Sequence, residues 1–236
     1  MNIALVSKCH RLIEAYKSGQ LGQIVMPEDS HPDFNSNELR ISYFTLPMAL
    51  NYQRDSYKLW QAALATYNDP DTHDVFKFNT LNLRTKLLKY KLALQPNKHI
   101  DTWNRIQHTI YTNFGSFENM LINCKFDFLK LRDLVQIQYK SGFPYLSGPK
   151  IFNYWSFILI TYGGVNLKNR QFIDIAPDTH ITKCSIILGV IKESEAENKI
   201  LISRKWRELL EGSGIDPIDM HSPLWFWSRN GFIFSP

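Results

Sequence analysis

Apolar residues recur along this chain at intervals of three and four, interrupted by Gly, Pro and short polar runs, a pattern that predicts helices sharing a core. Ile3, Leu5, Val6, Leu12, Ile13 and Tyr16 fall near helical spacing, and Gly19 closes that first segment. Residues 21–46 mix Pro, Asp, Ser and Asn with short apolar pieces and read as loop, with one short strand at 40–44. Pro47 opens the next helix, which runs through Trp60 and Leu64 to the stop at Asn68-Asp69-Pro70. Further helices are predicted over residues 83–94, 101–114, 117–124 and 128–139, separated by Pro96, Gly115 and the break at Lys125-Phe126-Asp127. A hairpin punctuated by Gly and Pro at 141–150 leads into a very apolar helix at 151–162. A loop through Gly163, Gly164 and Asn169 ends at Ile175-Ala176-Pro177-Asp178, where Asp178 is placed to cap a new helix. Helices at 195–211 and 216–227 complete an all-α chain with no internal repeat and no sustained heptads.

Composition narrows the class. The chain has 236 residues, of which 44% are hydrophobic and 21% charged, enough to bury a core and too apolar for disorder. Aromatic residues reach 14%, and such rings either pack a core or receive flat ligands such as nucleobases. Cys9, Cys124 and Cys184 lie far apart, which excludes a disulfide framework and any four-cysteine metal or cluster site within the chain. The sequence therefore reads as a reduced, intracellular protein. Its first 17 residues lack the uninterrupted apolar stretch of a signal peptide, and its apolar runs are too short to span a bilayer, so no membrane partner is expected.

The net charge of +5 is unevenly placed. Residues 1–83 carry a net −2, residues 84–150 a net +7, and residues 151–236 balance. A block of excess cation in the middle of the chain is the electrostatic footprint of a polyanion partner, and equally describes a set of solvated helix faces.

Common catalytic signatures are missing: there is no G-x-S-x-G, no phosphate-binding G-x-x-x-x-G-K-[ST], no G-x-G-x-x-G and no H-E-x-x-H, and the seven His show no metal-ligand spacing. What remains is a helix, a hairpin, a second helix, a loop and an Asp. The hairpin Pro144-Tyr-Leu-Ser-Gly148-Pro-Lys150 is expected to point backbone N–H groups outward at a helix N-terminus, a phosphate site that reads no sequence. Lys150 would stand there against an apolar wall of Phe152, Tyr154, Trp155 and Phe157, where partial burial favours the neutral, nucleophilic amine. Lys150 also reads as a plain phosphate-facing lysine, and Asp178 as a plain N-cap.

These residues carry a resemblance. The run is similar to the helix-hairpin-helix DNA glycosylase superfamily, which includes endonuclease III and the 8-oxoguanine DNA glycosylases. Gly148-Pro-Lys150 matches the end of that hairpin, with Lys150 at the Schiff-base position, and the Asp178-Thr-His180 run followed by Leu188-Gly189 matches the segment after the loop. Leu46-Pro-Met-Ala-Leu-Asn-Tyr-Gln53 is similar to the segment whose Gln fills the gap left by an extruded base. Leu146 replaces the usual first Gly of the hairpin, and the 28-residue interval between Lys150 and Asp178 resembles the archaeal 8-oxoguanine branch. The cysteine cluster of endonuclease III has no counterpart.

The resemblance implies two helical subdomains, residues 46–162 ending in the helix-hairpin-helix at about 128–162, and residues 1–45 plus 163–236, with a DNA cleft between them. It implies a bifunctional glycosylase and abasic-site lyase working as a monomer on double-stranded DNA with a flipped base, without metal or organic cofactor, in the cytoplasm with the nucleoid or in the nucleus. Lys150 and Asp178 would be catalytic. Gln53, Leu146, Ser147, Gly148, His180 and Lys183 would contact DNA, and Phe143, Trp155 and Trp225 would line the base pocket. The favoured base is 8-oxoguanine. Modified pyrimidines, a role in DNA modification or defence, and a non-catalytic DNA-binding module are the alternatives.

Overall fold

The computed structural model describes residues 2–236, so only the first residue of the predicted N-terminal helix segment lies outside it. Among the described residues there are eleven α-helices and no strand beyond one isolated bridge between Asp127 and Lys168. No helix among them is long and apolar enough to cross a membrane. The chain divides into two units, one formed by Met26–Lys168 and the other by residues 2–25 with Asn169–Pro236.

The larger unit contains α2 (Asn37–Thr45), α3 (Ser56–Asn68), α4 (Leu83–Lys89), α5 (Pro96–Phe114), α6 (Phe117–Asn123), α7 (Phe128–Asp133) and α8 (Pro149–Thr161). Its core is a continuous aromatic cluster: Tyr43, Phe44, Trp60, Phe76, Trp103, Phe117, Phe128, Phe152 and Trp155 are all buried. The indole N–H groups of its tryptophans are paired, as burial demands. Trp103 Nε1 donates to the Val75 carbonyl at 3.1 Å and Trp155 Nε1 to Thr45 Oγ1 at 3.0 Å. Glu38 joins three helices, its Oε1 accepting from the Tyr111 hydroxyl at 2.8 Å and the Phe117 amide at 3.0 Å, and its Oε2 from the Glu118 amide at 2.9 Å. A carboxylate on the free amides of the α6 N-terminus satisfies donors that the helix itself cannot.

Several elements differ from their sequence-based expectation. Residues 40–44 belong to α2, not to a strand, because Ser36 Oγ caps the helix at the Leu39 amide (3.2 Å) and Ile41, Ser42, Tyr43, Phe44 and Thr45 are buried, leaving no solvent face for alternation to mark. The helix expected from Pro47 is two pieces, a 3-10 turn at Met48–Leu50 and α3, which starts where Asp55 Oδ1 accepts from the Lys58 amide at 2.9 Å. Pro96 is the first residue of α5 and not a separator, a position where its missing N–H removes nothing. Residues 26–45 fall in the larger unit, since α2 contributes Tyr43 and Phe44 to the rings around Trp60, at 5.7 and 5.5 Å.

The second unit packs α1 (Ile3–Lys17), α9 (Thr179–Ile187), α10 (Lys199–Leu210) and α11 (His221–Arg229). Tyr16 of α1 stacks on Phe226 of α11 at 5.9 Å, and Trp206 of α10 donates to Ser185 Oγ of α9 at 2.8 Å. Asn230 secures the end of α11 to the chain after α1, its Nδ2 donating to the carbonyls of Leu21 at 2.6 Å and Gln23 at 3.1 Å.

Candidate active site

The approach to Lys150 begins in α7, capped by Asp127, whose Oδ1 accepts from the amides of Leu129 at 2.9 Å and Lys130 at 3.2 Å. α7 does not continue as an α-helix to residue 139. It widens into a π turn over Leu134–Gln138 and then a 3-10 turn at Lys140–Gly142. Gly142 is required at this place: a Cβ there would lie 2.2 Å from Thr109 Oγ1 of α5.

The turn that follows is tied inward. Phe143 and Leu146 are fully buried and anchor it in the core. The Leu146, Ser147 and Gly148 amides donate to the carbonyls of Pro144, Phe143 and Tyr145 at 2.7, 3.0 and 3.0 Å, and Gln136 Nε2 donates to the Ser147 carbonyl at 3.1 Å. The amides of these three residues are therefore engaged within the turn, because closing so short a connection takes up its own donors. Phe143, Leu146 and Trp155 present no surface to a ligand in this arrangement, whereas Ser147 and Gly148 are half-buried.

Lys150 stands in the first turn of α8 and is exposed. The partial burial expected from its apolar neighbours is absent, because Phe152 and Trp155 point into the core. α8 is otherwise almost wholly enclosed. Lys150, Tyr154, Phe157 and Thr161 are spaced by four, three and four and so share one stripe headed by the amine. Its two ends are exposed and its two rings half-buried, and Pro149 and Ile160 are also incompletely covered. The Tyr154 and Phe157 rings stack at 5.9 Å. These two aromatics, not Trp155, share the face of Lys150. Helical spacing counted forward from Lys150 would have picked them out.

Beneath Tyr154 lies Glu28, only 1% exposed, whose Oε1 accepts from the Tyr154 hydroxyl at 3.1 Å and from Trp60 Nε1 at 2.7 Å. Burial pushes this carboxyl up to about 7, against the opposing pull of its hydrogen bonds. Glu28 Oε2 and the Tyr43 hydroxyl are both buried without a partner among the described residues. The acid thus holds the aromatic stripe from below.

Gln53 comes near the hairpin through its neighbour. Tyr52 stacks on Tyr145 of the turn at 5.5 Å with 27° between the rings. Gln53 is exposed in the loop before α3, with φ of +50°. Next to it, Arg54 latches the loop to the α4–α5 connection, Nη1 donating to the Leu92 carbonyl at 2.6 Å and Nη2 to the Lys91 carbonyl at 2.7 Å.

The other group of expected residues lies in the second unit. Asp178 is half-buried and caps α9, Oδ1 accepting from the Ile181 amide at 2.9 Å, while Oδ2 accepts from Trp225 Nε1 at 3.1 Å. Its main-chain carbonyl takes the Thr182 hydroxyl at 2.6 Å. The lead-in is equally fixed: Asp174 pairs with Arg207 at 2.6 Å, and Ser203 Oγ donates to the Ile175 carbonyl at 3.1 Å. His180 Nδ1 lies 3.0 Å from Ser228 Oγ, its ring packs edge-on against Trp225 at 5.4 Å, and the Arg229 guanidinium lies 4.8 Å over the same indole. Asp178, His180, Trp225, Ser228 and Arg229 therefore form one cluster. Lys183 is exposed on α9, with no hydrogen bond joining it to that cluster.

Two charged groups are thus presented differently, an open amine and a carboxylate whose two oxygens each accept a hydrogen bond. An exposed lysine at a helix N-terminus can hold a phosphate or, once desolvated by a ligand, attack an electrophilic carbon. A fixed carboxylate can stabilise positive charge or accept a proton. Comparison of the chain with known protein families, with curated proteins and with solved structures yields no match.

Proposed function

We propose that the chain is a bifunctional DNA glycosylase and abasic-site lyase that excises a damaged base, 8-oxoguanine being the favoured one, from double-stranded DNA. The observation that carries this reading is Lys150, exposed at the head of the half-buried aromatic stripe of α8. The enzyme would dock by its basic central segment and extrude one nucleotide, with Gln53 filling the vacated stack. Tyr154 and Phe157 then supply a flat surface to the extruded nucleotide.

In the chemical step the neutral Lys150 amine attacks the sugar C1′. The C1′–N bond to the base breaks, and the base departs with its electron pair and takes a proton from water. Asp178 stabilises positive charge developing on the sugar and takes up the proton released by the amine. Ring opening gives an iminium at C1′. Loss of a C2′ proton then expels the 3′ phosphate by β-elimination, and water releases Lys150. DNA docking provides the desolvation of Lys150 that its exposed position lacks. This activity would place the protein with the genome, in a nucleoid or a nucleus.

One observation favours a second reading: an exposed, unburied lysine at a helix N-terminus also suits a phosphate contact in a helix-hairpin-helix module without chemistry. Borohydride trapping on duplexes with one 8-oxoguanine or one abasic site separates the two. A covalent adduct that vanishes in Lys150→Gln supports the lyase. Binding of both duplexes by the wild type without trapping or nicking supports the module.

A further inference from the structure

The larger unit has an open groove of about 510 Å³ that Gln53 lines and that neither Tyr52 nor Tyr145 of the neighbouring stack enters. Its rim carries Gln53, Lys58, Gln61, Tyr90, Lys91 and Leu94. The charges there are uneven. Lys86 and Lys89 nearby are neutralised by Asp74 and Asp69, both at 2.6 Å, whereas Lys58 and Lys91 are exposed and in no ion pair among the described residues. Arg54 adds a third cation to the wall, held by two backbone carbonyls. The groove's carboxylate, Asp55, is committed to the first amides of α3 through the Lys58 N–H at 2.9 Å. Between the cations the floor is small and apolar, with Ala62 buried and Ala65 half-buried.

We infer that this groove holds the sugar-phosphate backbone of the complementary, undamaged strand. The inference rests on the proposed role of Gln53. A side chain that fills an emptied position in the stack faces the partner base, so the surface that Gln53 shares with this groove would lie toward the opposite strand. Two ammonium groups outside any ion pair and an apolar floor suit the phosphates and the deoxyribose of a backbone. The Tyr90 hydroxyl is already committed to Asp69 at 2.9 Å, and the cations Lys58 and Lys91 address phosphate rather than a base edge. The contact is independent of sequence and of the lesion.

Binding of the full chain to a tetrahydrofuran abasic analogue, in duplex and in single-stranded form, tests this across a salt series. Lys58→Gln with Lys91→Gln is expected to lower the slope of log affinity against log salt by about 1.8 on duplex, about 0.9 per phosphate lost, and to leave the single strand unchanged. A positional test uses Gln61→Cys. The three native thiols are buried, so this cysteine is the accessible one. It is expected to form a disulfide with a thiol tethered to a backbone phosphate of the complementary strand and not with one on the damaged strand.

Equal loss on duplex and single strand, no change on either, or cross-linking to the damaged strand would overturn the inference. A wild type that binds duplex with the expected groove behaviour yet never traps loses the lyase reading and keeps the groove. A wild type that binds no DNA loses both.

Discussion

The hairpin leading to α8 and the Asp178 cap of α9 both end at a helix N-terminus, yet they hold their key side chains in opposite ways. In the first, bonding goes into the turn: Leu146, Ser147 and Gly148 spend their amides locally, and Lys150 is left exposed. In the second, bonding goes into the side chain: Asp178 accepts at both carboxylate oxygens, from Ile181 and from Trp225. A nucleophile has to move and lose a proton, so a preformed bond to its nitrogen would have to be broken first. A carboxylate that stabilises charge works best when it is already oriented.

Four changes would break or sharpen that contrast. Lys150→Gln should have the largest effect, abolishing the trapped adduct. Because the side chain is exposed, unfolding free energy should change by no more than about 0.5 kcal/mol, and a larger loss would show that Lys150 is structural. Asp178→Asn comes next. Asn keeps the cap on Ile181 but offers a single acceptor and gives up the Trp225 bond, so stability should fall by about 1 kcal/mol, while single-turnover excision should fall by about 10²- to 10⁴-fold. Unaltered excision would reduce Asp178 to its capping role.

Glu28→Gln probes the support under the stripe. Its carboxyl, raised to about 7 by burial, is neutral in the fold and ionised in the unfolded chain between the ordinary carboxyl value and about 7. Stability from this group is therefore fully present in acid and lost as pH rises to about 7, a change of up to about 3 kcal/mol. Thermal melts of the wild type should fall over that window relative to Glu28→Gln, which carries no charge. Parallel melting curves would show that Glu28 is solvated. Trp225→Phe, the mildest change, removes the donor to Asp178 Oδ2 and keeps a ring for Arg229. It should cost about 1 kcal/mol of stability and roughly tenfold in excision rate, with no rate effect once Asp178 is already Asn.

How much of this was legible beforehand varies by residue. Asp178 as a cap follows from Pro177-Asp-Thr ahead of an apolar run, because capping is local chemistry within four residues. Residues 40–44 misled, since a helix buried on nearly every side loses the polar stripe that reveals its period. Gly142 reads as turn punctuation, but its necessity comes from Thr109, more than thirty residues earlier. Glu28 carries no local signal in its loop, and only the placement of Trp60 and Tyr154 around it makes it a buried acid.

Local order and the all-α class were thus determined by the sequence itself, because helix spacing, caps and breakers act over a few residues and need no distant partner. Tertiary structure alone decided which side chains are available. It buried Phe143, Leu146 and Trp155, left Lys150 open with Tyr154 and Phe157 on its face, and joined Trp225 to Asp178 across 47 residues. Exposure and long-range hydrogen bonds depend on what packs against a helix, and that is a property of the assembled core, not of any segment read alone.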